Sequence, residues 1–211
     1  MLIAENLKPL RVDLRSGEGY LASGLVRAFI AIDIPDGEVK EKILEFQRII
    51  SQAGADLKPV EPENIHITLR FLGDVRMAVI DNLKAELCGI RFSPFKITLK
   101  GVGVFPDIRR INVVWVGIDE GNIGLIDLYG KINRSLGRLG IPPDRRGLSP
   151  HLTVARVHSG RNRDIISKTV GGLVDAEFGS IEVNSFHLKQ STLTPRGPIY
   201  QSLCEVTASP P

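Results

Sequence analysis

Two histidines stand in the same short setting. His66 opens the run His66-Ile67-Thr68-Leu69-Arg70-Phe71, and His151 opens His151-Leu152-Thr153-Val154-Ala155-Arg156. Both runs read as strands, in which side chains alternate between faces. His66, Thr68 and Arg70 then share one face, and Ile67, Leu69 and Phe71 take the other, toward the core. In the second run His151 and Thr153 share a face, with Leu152 and Val154 in the core. An imidazole has an ordinary pKa of about 6.5, so near neutrality one ring can be neutral and the other protonated. Such a pair suits phosphodiester chemistry. One ring takes a proton from an attacking water and the other gives one to a leaving oxygen. The hydroxyls of Thr68 and Thr153 can donate to phosphate oxygens, and Arg156 can add a charge-assisted bond. Arg156 lies five residues after His151, so a regular strand aims it at the wrong face; only a bulge or a strand end brings it round.

The elements that must position these residues form a duplication. Residues 27–33 read RAFIAID and residues 113–119 read VVWVGID; at an offset of 86, Phe29 matches Trp115, Ile32 matches Ile118 and Asp33 matches Asp119. Both runs are β-branched and aromatic, as strands are. Each is followed by one apolar helical face: Val39, Ile43, Phe46 and Ile50, then Leu125, Tyr129, Ile132 and Leu136, again 86 apart. Gly54 and Gly140 end or follow these helices. A Pro-rich loop then leads to each His-x-Thr strand. A second helix comes next, Met77–Cys88 in one half and Arg163–Val170 in the other. A third strand closes each half, Phe95–Val104 and Ser185–Ser191. The pattern predicts two α+β units packed as lobes with pseudo-two-fold symmetry. That symmetry sets the two His–Thr pairs opposite each other across a cleft.

Domain organisation follows. Residues 1–25 have no counterpart in the repeat and read as an N-terminal extension; residues 26–211 read as a single domain of two lobes. The chain of 211 residues is 43% apolar and 24% charged, an ordinary globular composition. The net charge of +3 permits a polyanionic ligand without demanding one. No apolar run approaches the roughly 18–20 residues of a membrane span, and Leu10–Leu25 is too interrupted by charge for a signal peptide, so the cytoplasm is the expected compartment. Cys88 and Cys204 are the only cysteines and read as two buried thiols. With no CxxC and no Cys/His cluster, neither metal nor cofactor is expected. His158 and His187 read as a loop and a strand residue without catalytic company. Asp33 and Asp119 read as turn caps and Trp115 as core. Phe29 is a candidate to line the cleft and stack a base.

These residues resemble the two-histidine (2H) phosphoesterase superfamily and, within it, the RNA 2′,3′-cyclic phosphodiesterases, also called LigT-like or 2′-5′ RNA ligase proteins. The strings ENIHITLRFLG, RRGLSPHLTVARV and STLTPRGPIY carry the resemblance, which spans about residues 26–206. It implies a bilobal α+β fold of duplicated antiparallel sheets, with helices outside and the histidines facing each other in a central groove. It implies metal-independent hydrolysis of RNA 2′,3′-cyclic phosphate ends to 2′-phosphomonoesters, with reversible 2′-5′ joining of RNA ends. Carried over by position, His66 is the acid toward O3′, His151 the base toward water, and Thr68, Thr153 and Arg156 the phosphate ligands. The residues themselves leave acid and base interchangeable. Substrates are RNA ends or cyclic nucleotides, and nothing requires more than a monomer. Three other readings share the motifs: ligation as the working direction, another cyclic or 2′-5′ diester as substrate, and an RNA-end binding module without turnover. The last would have lost a His or Thr of the motifs, and all four are present.

Overall fold

The computed structural model describes residues 24–52, 54–144, 147–195 and 197–209. The N-terminal extension expected over residues 1–25 lies outside the described residues as far as residue 23, as do Arg145 and Arg146. Nine strands and four α-helices are described: β1 (Leu25–Asp33), α1 (Glu38–Gln52), β2 (Leu57–Pro59), β3 (His66–Arg76), α2 (Ile80–Cys88), β4 (Phe95–Asp107), β5 (Arg110–Glu120), α3 (Asn122–Arg138), β6 (Leu152–Val157), α4 (Arg163–Gly171), β7 (Glu177–Val183), β8 (Ser185–Thr194) and β9 (Gly197–Thr207). All strand pairs are antiparallel, in the order β7-β4-β5-β6-β3-β1-β8-β9, with β2 also on β6. The α+β, duplicated, bilobal architecture is as expected. Strands β3 and β6 lie at the middle, joined through the pair Ile67↔Leu152.

The lobes are not the two halves of the chain. Strand β4 leaves the first half to pair with β5, and β8 leaves the second half to pair with β1. Each lobe therefore takes its third strand from the other half. Helix α1 crosses in the same way and packs on β7, β2 and β6. Its buried face is Val39, Ile43, Phe46 and Ile50, as the periodicity predicts. In α3, Leu125, Ile132 and Leu136 are buried, but Leu128 takes the place expected of Tyr129.

The repeat offset also needs correcting. Phe29 pairs with Phe71 and Val113 with Arg156, while Ala31 pairs with Thr68 and Trp115 with Thr153. Relative to the His-x-Thr strands, β1 and β5 thus correspond at an offset of 84 (113 minus 29, 115 minus 31) rather than 86. A slip of two residues keeps the same face buried, so the apolar pattern does not register it. Trp115 is not core. It lies half-buried, 5.2 Å from the Phe105 ring, over Gly103, where a Cβ would come within 2.2 Å of the indole.

The cysteines are a second departure. Cys88 is exposed and Cys204 half-buried, with the two sulfurs 3.4 Å apart across α2 and β9. Burial and the hydrogen bond between the thiols push Cys204 up to about 12. Among the described residues no helix is long and apolar enough to cross a membrane.

Candidate active site

His66, Thr68, His151, Thr153 and Arg156 all line one cavity of about 980 Å³ between the lobes. His66 opens β3 and His151 immediately precedes β6, each with its ring held in one way. The Nδ1–H of His66 donates to the carbonyl of Asn64 at 2.7 Å, and the Nδ1–H of His151 donates to that of Ser149 at 2.8 Å. In both halves the acceptor is two residues upstream, so the duplication extends to the tautomer. With Nδ1 committed to the backbone, Nε2 is the ring nitrogen left for chemistry. The Thr68 hydroxyl donates to His66 Nε2 at 3.1 Å.

Aromatic rings wall in both imidazoles. Phe29 and Tyr200 lie 5.1 and 5.3 Å from the His66 ring; Phe105 and Trp115 lie 4.9 and 6.3 Å from that of His151. The first enclosure removes water from His66 and lowers its pKa from the ordinary value to about 4. The cations Lys189 and Arg156 push in the same direction, against the Asn64 carbonyl and Asp33. The free protein therefore holds His66 neutral at pH 7. Asp33 is no turn cap: its carboxylate pairs with buried Lys189 at 2.5 Å, and His187 Nε2 stands 3.7 Å from its other oxygen. His187 bonds Ser202 and lies off the cavity, and His158 is exposed in a loop, as expected.

Strand parity is broken by a matched pair of bulges. Neighbouring residues Val114 and Trp115 pair with Ala155 and Thr153, so β6 carries Val154 as an extra residue; Ile30 and Ala31 pair with Arg70 and Thr68, so β3 carries Leu69. Those two residues are 85 apart, like the histidines. After each bulge the alternation inverts. Arg156 is thereby turned into the cavity with Thr153, which resolves the difficulty met in the sequence. The same step overturns two expectations for β3. Phe71 is not core but 63% exposed at the cavity, and Arg70 is buried at 7%.

Arg70 serves the opposite half. Its guanidinium donates to the Pro142 carbonyl and pairs with Asp144 at 3.1 Å. These contacts fasten the loop that leads to His151. Phe29 does line the cavity, but at 4% exposure it presents little open face. The ring available for stacking is Phe71. Sequence reasoning assigned no role to Tyr200, although the STLTPRGPIY string contains it. It also missed Arg27, an exposed cation on the cavity wall.

A duplicated antiparallel fold with a His–Thr pair from each half on one cavity defines a class of paired-histidine proteins. The profile described as LigT like Phosphoesterase matches the chain twice, over residues 32–115 and 116–200, and the chain belongs to that family. An RNA 2′,3′-cyclic phosphodiesterase of Aeropyrum pernix is 42% identical over 160 residues, which cover 76% of this chain and 91% of that protein. One from Methanothermobacter thermautotrophicus is 40% identical over 182 residues, 84% of this chain and 96% of the relative. Among solved structures, E. coli LigT complexed with 3′-AMP superimposes with a TM-score of 0.70 at 26% identity, covering 88% of this chain and 99% of that one.

Proposed function

We propose that the protein hydrolyses RNA 2′,3′-cyclic phosphate ends to 2′-phosphomonoesters, with His66 and His151 as its acid–base pair. One observation carries this reading: two His–Thr pairs, one from each half of the chain, line one cavity with both Nδ1–H groups committed to backbone carbonyls. The name shared by the Aeropyrum and Methanothermobacter relatives supports the substrate class.

In the proposed reaction a water attacks phosphorus opposite O3′. His151 Nε2 takes the water proton as the new P–O bond forms. His66 Nε2 gives its proton to O3′ as the P–O3′ bond breaks, leaving the phosphate on O2′. Neutral in the free protein, His66 gains its proton beside the anionic diester, whose negative charge stabilises an imidazolium. Thr68, Thr153 and Arg156 donate to the non-bridging oxygens, whose charge grows toward the transition state. Side chains handle every proton, so no metal has a step. Both His–Thr pairs come from one chain, so the proposed reaction calls for no second copy.

The test is a short RNA with a 2′,3′-cyclic phosphate end, incubated with the protein in EDTA. The expected product is the 2′-phosphomonoester. A 3′-phosphate, or activity restored only by added metal, would overturn the proposed chemistry.

A further inference from the structure

Gln47 stands on the apolar face of α1 between Ile43 and Ile50, yet it is an amide at 5% exposure. A buried amide is costly unless its hydrogen bonds are made. Here Nε2 donates to two carbonyls, those of Val60 and Val154, each at 2.8 Å. The Val154 carbonyl also accepts from the Val60 N–H at 2.9 Å. Val154 is the residue that β5 skips, so the bulge carbonyl is gripped by β2's continuation on one hand and by α1 on the other. We infer that Gln47 is a positioning residue for the reaction proposed above: it fixes the bulge at Val154 and so holds Arg156 in the cavity.

The argument is one of parity. Without the extra residue, β6 would alternate regularly and Arg156 would point away from Thr153. A bulge disrupts the ladder locally, and here the Val154 carbonyl is fixed by two donors, the Val60 N–H and the Gln47 amide. The matching bulge at Leu69 aims Phe71, which carries no charge. The buried face of α3, which is the other helix of this kind, carries Leu125, Leu128, Ile132, Ser135 and Leu136 and no amide. Among the described residues, the helix amide that reaches a bulge carbonyl is thus on the side that has a cation to aim.

The inference rests on the proposed function, and the experiment separates the two. Gln47→Met keeps length, volume and helix propensity but removes the donors. Its kcat/KM on the cyclic phosphate end and its affinity for inorganic phosphate are measured beside Arg156→Ala, Thr68→Val and the double variants. Gln47→Met is expected to lose most of what Arg156→Ala loses, on the order of tenfold or more, as for a charge-assisted contact. The Gln47→Met/Arg156→Ala double variant is expected to match Arg156→Ala alone, because the two residues act as one unit. With Thr68→Val the losses are expected to multiply. Losses that multiply with Arg156→Ala as well would overturn the inference. Gln47→Leu, which also removes the donors and suits the buried face of the helix, answers the same question if the methionine variant does not fold. Absence of turnover in the unaltered protein would count against the function, while the phosphate affinities would still decide the role of Gln47.

Discussion

Burial sets the charge of His66, and that has a consequence for stability. The unfolded chain protonates this ring below about pH 6.5, whereas the fold does so only near 4. Between those values the unfolded state binds the extra proton. The contribution of His66 to stability is therefore intact above 6.5 and lost as pH falls toward 4, by up to roughly 3 kcal/mol. Urea unfolding at pH 7.5 and 4.5 should show a smaller difference for His66→Gln than for the unaltered protein; equal differences would contradict the neutral, buried ring. The two aromatic residues of the first lobe should separate just as cleanly. Phe71→Ala should raise KM for an RNA end about tenfold, the worth of one base stacked on a ring, with little change in stability. Phe29→Ala should cost about 3–5 kcal/mol of stability, as a buried ring does. The two His–Thr pairs that line the cavity were legible because histidine and threonine two positions apart share a strand face whatever lies beyond. Arg156 was named against its strand parity, and Phe71 was placed on the wrong face, because each lies past a bulge that leaves no mark in the apolar pattern. Tyr200 reaches His66 from a strand more than a hundred residues away, a contact that no local spacing encodes.

At the scale of elements, the strands were placed well and their registers less so. The offset between β1 and β5 was misread by two because Ile30 and Ile32 are buried at either setting, and only the partners Phe71 and Arg156 distinguish them. Tyr129 looked equivalent to Ile43 by spacing, but Leu128 is the residue buried against the sheet. The loop before His151 carries little pattern of its own, and its anchor, Arg70, belongs to the other half. Replacing Arg70 removes its ion pair with Asp144 and its bond to the Pro142 carbonyl, and hydrogen bonds to a charged group are typically worth about 1.5–3 kcal/mol. Arg70→Ala should lose stability of that order in chemical denaturation and should lower kcat, since the loop ends at the Ser149 carbonyl that holds His151. A loss confined to stability would mean that the loop keeps its place without the anchor.

For the whole molecule, the duplication read from the chain describes its ancestry better than its lobes. Exchange of β4 and β8 gives each lobe a strand from the other half, and α1 crosses as well. Neither half should fold alone: fragments 24–109 and 110–209 are expected to be unstructured separately by circular dichroism and to regain the native spectrum when mixed, and a cooperative unfolding transition in either fragment by itself would contradict the exchange. The same exchange bears on catalysis. Pairing β3 with β6 at one contact brings two histidines 85 residues apart onto one cavity, and the account depends on their acting together. The most direct test is hydrolysis of an RNA 2′,3′-cyclic phosphate end by His66→Ala, His151→Ala and the double variant, with folding checked for each. The account predicts that each single substitution lowers kcat by about 10²–10⁴-fold and that the double variant is scarcely worse than either. A single variant that retains near-full activity, or losses that simply multiply, would contradict it.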